Sequence, residues 1–225
     1  MRVAFVLTCD CGGLGHLARA AAIERALGRR GWAGEYRMFP RADVAGLATW
    51  APDLALVDLR WRDVPSLPCP AWLLVRATTS PWDGFDAGRW ERVIGIEPGA
   101  TGPLTDEVPP VVMVNPDEVA HGFDGMTVVM HAGSAAEVAR LSDMSGPGAV
   151  VIAGEPWPAA RFLPFAARVY TGGGYNSVWE ARWLGYAERT TFVPFPRGND
   201  DQAARIAGRV PMTENGADVL ARWML

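Results

Sequence analysis

Short apolar runs alternate along this chain with segments whose apolar residues recur at helical spacing, and that alternation predicts repeated strand-helix units. The first run, residues 2–8, is almost continuously apolar, as suits a central parallel strand covered on both faces. The helix predicted behind it places Leu17, Ala20, Ile23 and Leu27 on one face and Arg19, Arg25 and Arg30 away from it, with Gly31 as its stop. Further strands are predicted over residues 35–39, 54–58, 71–76, 93–96 and 111–114, with a helical patch at 44–50. A second series follows, with strands at 127–130, 149–153, 169–171 and 190–194. Its helices are expected at 135–141, around Val178, Ala181 and Leu184, from 203, and over 216–225.

Strands alternating with helices predict an α/β fold built on doubly wound parallel sheets. Between residues 97 and 110 the sequence turns rich in Pro, Gly and Thr, which marks a hinge near mid-chain. Two Rossmann-like domains are expected, 1–115 and 116–225, each with a glycine loop of its own.

The loop in the second half follows Val169, Tyr170 and Thr171 and reads Gly172, Gly173, Gly174, Tyr175, Asn176, Ser177. Strand, glycine turn and helix make a phosphate site, because glycines admit close approach and positive φ while the N–H groups at a helix start point at the anion. The dipole contributes only about 0.3–1 kcal/mol, so side chains must help, and Glu180, one turn on, is the natural candidate. The alternative is that Ser177 and Glu180 form a capping box and the glycines only turn the chain. The loop in the first half, Gly13, Leu14, Gly15, His16, Leu17, Ala18, also satisfies the dinucleotide pattern G-x-G-x-x-A. The strand after it ends in Pro40 and Arg41 where an NAD site wants an acid, so only an NADP-dependent reductase stays open on this pattern.

Composition narrows the chemistry. The chain has 225 residues, 49% hydrophobic and 20% charged, with a net charge of −4 and no basic run, which excludes a nucleic-acid groove. All 21 basic residues are Arg, so neither a Schiff-base lysine nor a Walker-A lysine exists. Three cysteines and three histidines leave a zinc site short of ligands, and no metal or cofactor is expected; the Cys9 and Cys11 pair is the one soft-metal alternative. Asp10 interrupts the short apolar start, so neither a membrane span nor a signal peptide is expected and the protein is placed in the cytoplasm.

The motifs, taken in order, resemble the GT-B nucleotide-sugar glycosyltransferases. Gly13, Gly15, His16 and Arg19 resemble the G-x-G-H-x-x-R loop of predicted glycosyltransferases and of the UDP-sugar hydrolase of pseudaminic acid biosynthesis. Asn115 and Pro116, then Met130, His131, Ala132, Gly133 and Ser134, are similar to the inter-domain segment and first carboxy-domain loop of the peptidoglycan lipid II N-acetylglucosaminyltransferases. Gly173 to Glu180, Val193 to Pro196, and Asp200, Asp201 and Gln202 follow that family's nucleotide-sugar motif. The resemblance covers most of residues 111–210 and the first 30, and none of 40–100. It implies a compact GT-B enzyme of hexosyltransferase type, moving sugar from a UDP or TDP sugar to a small acceptor without a metal. Gly172 to Ser177 with Gly133 and Ser134 would hold the diphosphate, Glu180 the ribose, Asp201 and Gln202 the donor sugar, and Gly13, Gly15 and Arg19 the acceptor loop. His131 stands where that family has glycine. His16, at the carboxyl end of the first strand, is the candidate general base, unless it only caps its helix. A nucleotide-sugar hydrolase of the same fold is the alternative, and a non-catalytic GT-B-like binding protein the third reading beside the reductase.

Overall fold

The computed structural model describes residues 1–7, 15–77, 81–153, 157–198 and 200–225. Among these, one compact unit takes in residues 1–7, Arg19–Val111 and Gly216–Leu225, and the other residues 15–18 and Val112–Asn215. The last helix therefore packs with the first unit, although its place in the sequence suggests the second.

The first unit is a six-stranded parallel sheet. Its strands are β1 (Arg2–Leu7), β2 (Glu35–Pro40), β3 (Leu54–Val57), β4 (Ala71–Val75), β5 (Arg92–Gly95) and the two-residue β6 (Asp106–Glu107). They lie in the order β2-β1-β3-β4-β5-β6. Val3 to Leu7 and all of β3 and β4 are buried, as continuous apolar runs in a parallel sheet require. Helices α1 (Gly15–Arg29), α2 (Val44–Trp50) and α6 (Gly216–Met224) belong to its helical complement. Asp43 caps α2 by accepting from the Gly46 N–H, and Asp218 of α6 pairs with Arg29 at 2.9 Å.

The connections from β3 to β4 and from β4 to β5 hold no α-helix among the described residues, only single turns at Trp61–Asp63 and Ala87–Arg89. Aromatic side chains cover the sheet there instead. Phe85 meets Trp61 and Trp82 edge-on, with ring centroids 5.5 and 5.0 Å away, and all three pack on a core that includes Leu73, Val75 and Val93. This is the stretch whose motifs matched no family.

The second unit is a four-stranded parallel sheet in the order β10-β9-β7-β8, from β7 (Thr127–Met130), β8 (Val150–Ile152), β9 (Arg168–Gly172) and β10 (Thr190–Val193). Its helices are α3 (Ala135–Ser145), α4 (Tyr175–Trp183) and α5 (Gln202–Ala207). The strand predicted over 111–114 does not form. Val112, Met113 and Val114 are buried, but the main chain of Val112 is paired by the amide of Asn215, which donates to its carbonyl at 2.9 Å and accepts from its N–H at 3.2 Å. A side chain thus stands in for the neighbouring strand. Asn215 also donates to Asn115 at 2.8 Å, and Asn115 in turn accepts from the Trp183 indole at 3.3 Å. No described helix is long and apolar enough to cross a membrane.

Candidate functional site

In the second unit β7 leads through α3 to β8 on one side, and the chain then crosses to β9 on the other. The strand order reverses between β7 and β9, and open α/β sheets bind ligands beyond the carboxyl ends of strands at such a point. Both glycine segments sit there: His131 to Ser134 follow β7, and Gly172 to Gly174 end β9 and open α4. Ser134 is the N-cap of α3, forming a capping box in which Glu137 N–H donates to the serine hydroxyl at 3.3 Å and the Glu137 carboxylate accepts from Ser134 N–H at 3.0 Å. Gly133 and Ser134 are exposed.

The N-cap of α4 is Gly174, with no side-chain cap. Ser177 and Glu180 therefore lie inside the helix, and the capping box considered for them does not form. The three glycines depart from expectation in another way, since none has a positive φ. Close approach is what excludes a side chain. A Cβ on Gly172 would stand 2.6 Å from Cε1 of His131, and one on Gly173 would stand 2.7 Å from Ile206 and 3.0 Å from Gln202. At Gly174 nothing lies within 4 Å, so that position is left open.

His131 occupies the space beside Gly172 and belongs to a charged cluster. Its Nε2 lies 3.0 Å from Oε2 of Glu137, and its ring tilts against Phe195 at 5.0 Å. Arg197 grips Glu137 with both terminal nitrogens, at 2.7 and 3.0 Å. Arg197 first, then His131 and the Ser134 N–H, hold the Glu137 carboxyl down at about 2 against its burial, so it is ionised at any working pH.

Behind the glycine turn lies a second cluster, anchored by Arg205. This buried guanidinium donates to the Gly173 carbonyl at 3.0 Å and pairs with both oxygens of Asp200. Gln202 is buried too, and its side-chain oxygen accepts from the Phe195 N–H at 2.9 Å. Asp201 is exposed and caps α5 by accepting from Ala204 N–H at 2.9 Å. Arg182 closes the other end of α5, donating to the carbonyls of Arg205 and Ile206 at 2.9 and 3.1 Å. The Asp-Gln segment is thereby tied to the glycine turn.

Glu180 is buried on α4, 7% exposed. Burial pushes its carboxyl up to about 7, against the opposing effect of a hydrogen bond from the Met113 N–H. The Tyr186 hydroxyl, buried with no hydrogen-bond partner among the described residues, is raised by burial and then by the charge of Glu180. A carboxyl raised from 4.5 to about 7 stabilises the fold fully below about pH 4.5 and loses that contribution as pH rises through 7. The Glu180→Gln variant should therefore gain on wild type across that window, by on the order of 3 kcal/mol, in thermal melts run at acidic and alkaline pH. Parallel pH profiles for the two proteins would show that the carboxyl is not buried as described. Among its helix neighbours Tyr175 is buried, whereas Asn176 and Ser177 are half-buried; Ser177 accepts from Thr171 Oγ1 at 3.2 Å.

Among solved structures, the crystal structure of MurG from Acinetobacter baumannii matches 100% of this chain and 90% of its own length, with a TM-score of 0.52 and 13% sequence identity. The chain has a GT-B fold. The glycosyltransferase SnogD from Streptomyces nogalater matches 92% of this chain and 83% of its own at a TM-score of 0.48 and 16% identity. The glycotransferase of kitacinnamycin matches 98% and 88% at 0.49 and 14%. No protein-family model matches the sequence, and no curated protein does.

Of the first loop of this GT-B chain, Gly13 and the Cys9 and Cys11 pair lie outside the described residues. Gly15 opens α1, and His16, half-buried, stands in its first turn. Residues 15–18 group with the second unit, where Asn176 Nδ2 lies 3.5 Å from the Gly15 carbonyl. The buried face of α1 is rotated from the predicted one. Leu17 is 37% exposed, whereas Arg19 is 2% exposed and pairs with buried Asp58, just past β3, at 2.7 Å. Arg19 lies four residues before Ile23 and so shares its stripe, and the carboxylate of Asp58 makes a guanidinium tolerable there. Among the described residues no group of His, Cys, Asp and Glu has the arrangement of a metal site.

Proposed function

We propose that this GT-B chain is a glycosyltransferase that moves a sugar from a UDP or TDP sugar to a small acceptor. The observation that carries the reading is the meeting of two glycine segments at the strand-order reversal of the second sheet, one of them open at Gly174 where a helix begins. In this reading the donor part lies within residues 116–225 and the acceptor part within residues 1–115, with α6 packing on the acceptor part although its sequence falls in the other stretch. Gly172 to Ser177, with Gly133 and Ser134, hold the diphosphate. Asp201 and Gln202 meet the donor sugar, and the packing of Gln202 against Gly173 supports their place beside the diphosphate. Glu180 takes the ribose hydroxyls. His16 is the general base, Gly13 and Gly15 shape the acceptor loop, and Arg19, buried on Asp58, supports that loop from below.

The positive ends of α3 and α4 at the same place offer charge to the departing diphosphate, so the reaction runs without a divalent ion. The test is a thermal-shift screen of nucleoside diphosphates, followed by assay of the stabilising nucleotide's sugar conjugates in EDTA. Stabilisation by UDP or TDP and turnover unchanged by chelation are expected. Stabilisation by NADP alone would overturn the function, and loss in EDTA restored by magnesium or manganese would overturn metal independence.

A further inference from the structure

His131 is the first residue beyond β7, at the strand-order reversal, and its ring is held on three sides. Phe195 lies against one face, Glu137 binds Nε2 at 3.0 Å, and the Cε1 and Nδ1 edge lies 2.6 and 2.9 Å from where a Cβ on Gly172 would be. Glu137 is a carboxylate and can only accept, so Nε2 carries a proton and donates it in that bond. The free action of the ring is therefore at Nδ1. Among the described residues Nδ1 has no hydrogen-bonding partner, and the side chain keeps 11% of its surface exposed. Glu137 does not depend on the ring for its own place, since Arg197 and the Ser134 N–H already hold it.

We propose that His131 is a direct ligand of the donor's diphosphate, donating from Nδ1 to a phosphate oxygen beside Gly172; this rests on the nucleoside diphosphate reading above. With Nε2 committed to Glu137, donation at Nδ1 places an imidazolium against the anion. As the bond between the sugar and the diphosphate oxygen breaks, its electron pair goes to that oxygen, and the hydrogen bond from Nδ1 strengthens as the charge grows. No proton needs to move in this step. The ring is set in advance by Glu137 and Phe195, so little reorganisation opposes it.

Two substitutions separate this role from a structural one, because each keeps a different nitrogen. In His131→Asn the amide nitrogen falls near the position of Nδ1 and the contact to Glu137 is lost. In His131→Gln the amide reaches the position of Nε2 and the Nδ1 donor is lost. Titration calorimetry with UDP or TDP, the matching nucleoside and inorganic pyrophosphate reads the difference. The glutamine variant should bind nucleoside as wild type does but diphosphate and pyrophosphate about tenfold or more weakly, the effect of one charge-assisted hydrogen bond. The asparagine variant keeps a neutral donor at that place and should bind nucleoside as wild type does and diphosphate and pyrophosphate clearly more tightly than the glutamine variant, though below wild type. The opposite order, with asparagine weak and glutamine intact, or an equal loss for nucleoside and diphosphate, would overturn the proposal. Wild type that binds no nucleoside diphosphate would instead overturn the functional reading on which it rests. Should either variant fail to fold, nitrogen-15 resonances of wild type decide: pyrophosphate must shift Nδ1 of His131, and an unmoved resonance refutes the contact.

Discussion

Replacing His16 with alanine is expected to cut turnover by about 10²–10⁴-fold, the contribution of a positioned general base. Affinity for the nucleoside diphosphate should stay within a few-fold, because the proposed diphosphate ligands are His131, Gly133, Ser134 and Gly172 to Ser177. The imidazole stands in the first turn of α1, half-buried, on the residues that group with the second unit. Transfer and hydrolysis both need a proton taken from the attacking oxygen, so both should fall together in the variant. Chromatographic assay of nucleoside diphosphate release, with and without acceptor, measures the two. Activity retained in the alanine variant would remove His16 from the mechanism. Wild type that releases free sugar at full speed whatever acceptor is added would make the enzyme a hydrolase.

The largest stability effect is expected at Asp58. Its carboxylate and the Arg19 guanidinium are 3% and 2% exposed, 2.7 Å apart. Removing one member of a buried pair leaves the other charge in a poor solvent, at a cost of about 3–5 kcal/mol. For a chain of this size Asp58→Ala should lower the melting temperature by roughly 10 °C. The pair itself contributes much less than its breakage costs, because both charges gave up water to form it. The double variant Asp58→Leu with Arg19→Met should accordingly recover most of the loss. If the double variant melts as low as the single one, the stabilisation comes from something other than charge compensation. Nucleotide affinity should be unmoved in the double variant, which tells support of the first loop from direct participation in the donor site.

The strands and the two glycine segments are legible in the sequence because they depend on local pattern. β1, β7 and β9 are short apolar runs, β9 ends in the three glycines that open α4, and α2 lies where its periodicity puts it. What escapes is whatever a distant partner decides. The stretch 111–114 looks like a strand, yet its pairing comes from the Asn215 side chain, 103 residues away from Val112. Arg19 and Arg205 look like solvent-facing helix residues, and partners, Asp58 for the one and Asp200 with the distant Gly173 carbonyl for the other, go with their burial. The glycine turn is legible as a motif, but its cause is not, since crowding by His131 and Gln202, rather than positive φ, excludes side chains at Gly172 and Gly173. Ser134 and Glu137 carry capping-box spacing in the sequence, so the partnership of Glu137 with Ser134 is legible there, whereas its ties to His131 and Arg197 are not. The tryptophan-rich cover of residues 58–91 has no periodicity to read.

The first unit begins and ends the described chain, with the second carried between its parts. Pro110 and Gly216 are hydrogen-bonded in the first unit, and Val112 and Asn215 in the second. This reverses the usual order of folding on the ribosome, where the amino-terminal domain is finished first. Residues 112–215 are made, and emerge from the ribosome, before 216–224 do. The unit that contains the earliest residues is thus the last to be completed, and until α6 arrives the face it buries through Ala217, Leu220 and Ala221 waits uncovered in the nascent chain.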